Sequence, residues 1–115
     1  MVDNTILEGA RSTERQRKLY NEGASKCDGF INLSKHQPAE DGYSYAVDVA
    51  PYPIDWNDIR RFFYLAGVAF GIAQQLYDAG RITHKLRWGH DWDMDKDFDD
   101  QTFNDCPHFE LYKQR

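Results

Sequence analysis

Cysteine is almost absent from this 115-residue chain, which carries only Cys27 and Cys106. A disulfide framework is therefore excluded as the source of stability, and the two thiols are expected to be free. Long apolar runs are missing too, so no stretch reaches the length needed to span a bilayer. Positive charge is in deficit: 14 Lys and Arg stand against 19 Asp and Glu, for a formal net charge of −5. No basic face stands out, which removes the electrostatic footprint of a nucleic-acid binder. The opening residues Met1-Val2-Asp3-Asn4-Thr5 have neither the basic nor the apolar segment of a secretory signal. There is no internal repeat. What is present is a chain with 15% aromatic residues, long enough to bury one core as one domain.

Read in order, Asn4 to Glu8 is a short β-like run ending at Gly9-Ala10-Arg11-Ser12. Thr13-Glu14-Arg15-Gln16 fits a capping box, with Thr13 as N-cap and Gln16 reaching back. A surface helix from Glu14 to Asn21 should follow, ended by Gly23. Ala24 to Asp41 is a long polar loop, and Tyr43 to Ala50 reads as a strand stopped by Pro51-Tyr52-Pro53. Asp55 is the expected N-cap of the longest helix. Its apolar face is Ile59, Phe62, Phe63, Ala66, Phe70, Ala73 and Tyr77, and Gly67 and Gly71 suggest another backbone packed close by. Gly80 ends it. Thr83 to Trp88 is a second strand, Gly89 to Asp100 an acidic loop, and the end of the chain, with Pro107 at its start, alternates like an edge strand. The class is α+β: a small antiparallel sheet, one long central helix and one surface helix.

Asp48 lies in the middle of an apolar, β-branched run, where a carboxylate is costly to bury unless something pairs with it. A metal ion is one such partner. Catalytic zinc takes three ligands from His, Asp, Glu or Cys and leaves a position open. His36, from the loop before Asp48, and His108, from the final strand, complete a possible set. Spacing alone does not separate such a site from structural histidines. Asp105, three residues before His108, is placed to act as a general base or simply to hold a turn. Glu110 competes for the first role or supports His108. Arg11, at a turn before a helix, is a guanidinium able to bind a carboxylate or a developing oxyanion. His84 and His90 are spare histidines. The aspartates at 91, 93, 95, 97 and 99 look like an oxygen-rich calcium loop, although the EF-hand glycine and glutamate are missing.

Four segments together resemble a known family. They are Gly9-Ala10-Arg11-Ser12 with Gln16 and Leu19-Tyr20; Ser34-Lys35-His36 with Ala46-Val47-Asp48; Arg87-Trp88-Gly89-His90-Asp91-Trp92; and Asp105-Cys106-Pro107-His108-Phe109-Glu110. In this order they resemble the D-alanyl-D-alanine carboxypeptidase-like zinc peptidases, in particular the phage endolysin branch that cleaves L-alanyl-D-glutamate bonds. The resemblance runs from Ile6 to Tyr112. It implies zinc at the sheet on His36, Asp48 and His108, Asp105 as catalytic base, and Arg11 as substrate or oxyanion contact. It further implies a monomeric peptidase domain over residues 1–115 acting on bacterial peptidoglycan, with no membrane insertion. Such a protein would be made in a host cytoplasm without a signal peptide and reach the wall through a separate pore. The D-alanyl-D-alanine carboxypeptidase reaction is the alternative within the enzymes; a non-catalytic, zinc-stabilised wall-binding homologue is the alternative outside them. Three departures stand out. The His36-to-Asp48 interval is longer than the family pattern, with Ser44 where a glycine is expected. His90 replaces the second glycine of Trp-Gly-Gly. The helical segment that usually precedes the Gly-x-Arg motif is not in this sequence.

Overall fold

The computed structural model describes residues 3–29, 33–96 and 105–113. Six elements follow in order: β1 (Asn4–Glu8), α1 (Thr13–Asn21), β2 (Ala46–Pro51), α2 (Ile59–Asp78), β3 (Lys85–Gly89) and β4 (Asp105–Tyr112). The strands form one antiparallel sheet in the order β1-β2-β4-β3. The α+β expectation of a small antiparallel sheet with a long and a short helix holds.

β4 is an interior strand, not the expected edge strand. It pairs with β2 through Asp48 and His108 and with β3 through Trp88 and Phe109. Proline is tolerated inside because the β3 register jumps: Trp88 faces Phe109, but Gly89 faces Asp105. Pro107 falls in that bulge, where no ladder N–H is needed. A Cβ on Gly89 would overlap the Asp105 carbonyl, so only glycine lets β3 close against the bulge.

α2 covers one face of the sheet, where Ala50, Phe62, Ala66, Trp88 and Phe109 form the core. Each large side chain buried there stabilises the fold by about 1.5–3 kcal/mol. Its buried residues Phe62, Leu65 and Ala66 all lie in its first half. A helix of 20 residues runs for about 30 Å. Strands of five to eight residues are shorter, at about 3.3 Å per residue. The second half of the apolar stripe therefore overhangs, and Phe70 stays exposed. Gly67 and Gly71 face no backbone: nothing lies within 4 Å of a Cβ placed on either. Asp58, not Asp55, is the N-cap; Asp55 instead accepts the Asn57 N–H at 3.0 Å and shapes the preceding turn.

At α1 the capping box fails in an informative way. Ser12 is the N-cap and accepts the Arg15 N–H at 3.0 Å, since its backbone is still extended while Thr13 is already helical. Gln16 is thereby released from capping and is fully buried. Gly23 ends the helix region with φ +77°, the left-handed conformation expected after a C-cap.

Candidate metal centre

Antiparallel register builds the site. The row Val47–Phe109–Trp88 faces α2, so the neighbouring row, Glu8–Asp48–His108, projects from the opposite face. Next along that face is the row Ala46–Glu110–Arg87. The β1–α1 turn and the loop around His36 lie against these residues. A groove of about 530 Å³, lined by Phe63, Phe70, Leu86 and Tyr112, belongs to the α2 side instead.

Three ligand atoms converge. His36 Nε2 lies 3.2 Å from Asp48 Oδ1, His108 Nδ1 lies 3.3 Å from the same oxygen, and the two nitrogens are 3.1 Å apart. Two ligand atoms about 2.0–2.1 Å from a tetrahedral zinc are about 3.3 Å from each other. The triangle thus has the dimensions of one face of that tetrahedron. Asp48 Oδ1 is buried and accepts no directed hydrogen bond among the described residues, an orphaned position that a cation satisfies. These three residues therefore form a possible metal-binding group.

The far nitrogen of each imidazole is occupied. His36 Nδ1 meets the Gly9 carbonyl at 3.2 Å, and His108 Nε2 meets Glu110 Oε1 at 2.9 Å. Each ring then presents its other nitrogen to the centre. Burial opposes charge on His108, but contacts with Asp48 and Glu110 win and push its pKa up to about 9. Burial likewise opposes the Asp48 charge, yet the two imidazoles beside it hold its carboxyl well below the usual range.

Asp105 Oδ2 is 3.9 Å from His108 Nδ1. Burial, reinforced by the Asp48 charge, raises its pKa, the direction that suits a proton acceptor. Glu110 is not beside Asp105: its oxygens are taken by His108 Nε2 and, at 2.6 Å, Arg87 Nη2, on the far side of the ring.

Arg11 is buried rather than solvated. Its Nε and Nη2 each donate to Glu8 at 2.9 Å, and Nη1 donates to Gln16 Oε1 at 2.7 Å and weakly to Ser34 Oγ at 3.4 Å. Its backbone N–H donates to the His36 carbonyl at 2.6 Å. Gln16 Nε2 in turn donates to Ser25 Oγ and the Cys27 carbonyl, at 2.8 and 2.7 Å. Reading the sequence missed Glu8, Gln16 and Arg87 as parts of this framework. The signal available for Glu8 was its position three residues before Arg11; Gln16 and Arg87 stood in the segments that carry the family resemblance, but Gln16 was given only a capping role and Arg87 none.

The spare histidines lie elsewhere. His84 contacts Thr83 and the Tyr45 ring, and His90 is buried against Phe63, Trp88 and Cys106 Sγ. Both cysteines are free. Asp91, Asp93 and Asp95 bring carboxylate oxygens together as a second possible metal-binding group, while Asp97 and Asp99 lie outside the described residues.

A family model described as phage L-alanyl-D-glutamate peptidase matches residues 1–112. The chain belongs to that family. It is 30% identical over 106 residues to the L-alanyl-D-glutamate peptidase of Escherichia phage T5, covering 86% of this chain and 66% of the relative. It is 29% identical over 112 residues to the peptidoglycan L-alanyl-D-glutamate endopeptidase CwlK of Bacillus subtilis (strain 168), covering 96% of this chain and 61% of that protein. The chain thus spans a little under two thirds of both. The crystal structure of the Serratia marcescens L-Ala D-Glu endopeptidase ChiX shares the fold at a TM-score of 0.59 and 26% identity, covering 96% of this chain and 68% of that one.

Proposed function

We propose that this domain is a zinc peptidase that hydrolyses the L-alanyl-D-glutamate bond of the peptidoglycan stem peptide. The observation that carries the reading is the triangle of His36 Nε2, Asp48 Oδ1 and His108 Nδ1, with Asp105 at its rim. His36, Asp48 and His108 would hold the ion. When bound, zinc supplies a Lewis acid that polarises the scissile carbonyl and makes water a better nucleophile at neutral pH. Asp105 takes the proton from the attacking water and returns it to the leaving amine. Arg11 has five N–H groups, of which four have partners among the described residues, and offers the remaining one to the substrate's developing oxyanion. Glu8 and Gln16 keep the guanidinium in place for that contact.

The family relatives support the peptidoglycan substrate; the domain would act on the wall as a monomer, with no need to enter a membrane. We also infer a weaker calcium site at Asp91, Asp93 and Asp95, because Asp91 is buried and its Oδ1 has no hydrogen-bond partner among the described residues. Calcium titration by calorimetry yielding no heat would remove that site.

The test of the main reading is mass spectrometry of purified peptidoglycan digested with the zinc-loaded protein. New D-glutamate amino termini are expected. Release of terminal D-alanine would replace this reading with the carboxypeptidase one. Asp105→Ala should bind zinc as the wild type does and leave the wall intact. A wild type that binds zinc but leaves the wall whole would make the domain a binding module.

A further inference from the structure

The two histidines of the centre are held differently. His36 leans on a neutral backbone carbonyl, whereas His108 leans on a carboxylate that is itself clamped. Glu110 is buried, with Oε1 at 2.9 Å from His108 Nε2 and Oε2 at 2.6 Å from Arg87 Nη2. Arg87 and Glu110 are direct cross-strand partners of β3 and β4, so the ion pair is fixed by sheet register rather than by flexible stems. The Trp92 ring closes the circuit. Its centroid is 5.3 Å from the His108 ring, and Arg87 Cζ lies 5.3 Å from that centroid. His108 is thus held at its far nitrogen and against its ring by residues that all rest on Arg87.

We propose that Glu110 and Arg87 are positioning residues that set the affinity of the centre for its metal. Glu110 accepts the Nε2 proton of His108, which leaves Nδ1 as the donor atom facing Asp48 and His36. Its negative charge makes that nitrogen a stronger donor than an imidazole resting on a neutral carbonyl. Arg87 holds the Glu110 carboxylate to one orientation and keeps it from turning toward the ion. This inference rests on the zinc reading given above.

The experiment is zinc affinity of the metal-stripped chain, measured by competition with a chromophoric chelator, with no substrate present. Glu110→Ala should weaken zinc by about 10- to 100-fold, the usual effect of losing such a partner. Glu110→Gln keeps an acceptor for the Nε2 proton but not the charge, and should recover only part of that loss. Arg87→Met should weaken zinc less than Glu110→Ala, and should add almost nothing to it in the double variant. Wild-type affinity in Glu110→Ala would overturn the inference, even if its metal-free form melts early. Should Glu110→Ala not fold, Arg87→Met decides: unchanged zinc affinity there would sink the proposal. A wild-type chain that binds no zinc would remove the underlying metal reading instead.

Discussion

The metal-free protein should lose stability as pH rises from 6.5 to 9, in the range where most proteins change little. The group responsible is His108, buried between Asp48 and Glu110, with a pKa raised from 6.5 to about 9. A histidine whose folded value lies above its unfolded one binds its proton more tightly in the folded chain. Its contribution is complete below pH 6.5 and disappears as pH passes through about 9. A rise of that size corresponds to about 3 kcal/mol, a large part of the stability of a small domain. Asp48 and Glu110 act in the opposite sense. Their folded values are lowered, so their contribution is present above the ordinary carboxylate range and is lost on acidification. Together they place the optimum of the metal-free chain between about pH 5 and 6.5. Urea melts of chelator-treated protein at half-unit steps from pH 5.5 to 9.5 measure this directly. Asp48→Asn should flatten part of the alkaline decline, because it removes one of the carboxylates that hold the proton on His108 while Glu110 and Asp105 remain. A wild-type curve that stays level from pH 6.5 to 9 would refute the reasoning. Added zinc should reverse the trend, since its binding displaces the His108 proton and becomes easier as pH rises.

Other consequences are local. Gln16→Ala strands Arg11 Nη1 and the Cys27 carbonyl; a cost of about 1–3 kcal/mol is expected in thermal melts, with weaker zinc binding because the His36 loop loosens. Gly89→Ala drives a methyl into the Asp105 carbonyl, so the wall-lysis rate should fall more than zinc affinity does, as Asp105 is displaced and the ligands are not. Ser12→Ala removes the cap of α1 and should cost about 1 kcal/mol, whereas Thr13→Ala should cost less.

Much of the fold was legible along the chain because it is written in local chemistry. Ile6 and Leu7, Val47 and Val49, and Leu86 and Trp88 mark strands, Phe62 and Ala66 the buried side of the long helix, Gly80 its end, and Gly23 the end of the short helix. Cap positions were less legible. Ser12 and Thr13 offer the same hydroxyl, and only backbone geometry decides which one is still extended. Asp55 and Asp58 pose the same ambiguity. The edge-strand reading of β4 failed because its alternation and its proline both describe an edge, while a bulge opposite Gly89 is a property of the pairing and of no single residue.

The sequence by itself determined which groups could do chemistry. A carboxylate inside the apolar run around Asp48, two histidines, and an aspartate three residues before one of them were all visible in the residue order, because burying charge constrains residue type strongly. Only the tertiary structure decided how those groups stand to each other. The register of β2 against β4 puts Asp48 opposite His108, and Arg11 and Gly9 pin the long loop so that His36 reaches the same point. It also separated the two carboxylates that follow Asn104. Asp105 borders the centre and Glu110 lies behind His108, because a ring has two nitrogens and sheet geometry alone fixes which of them each carboxylate meets.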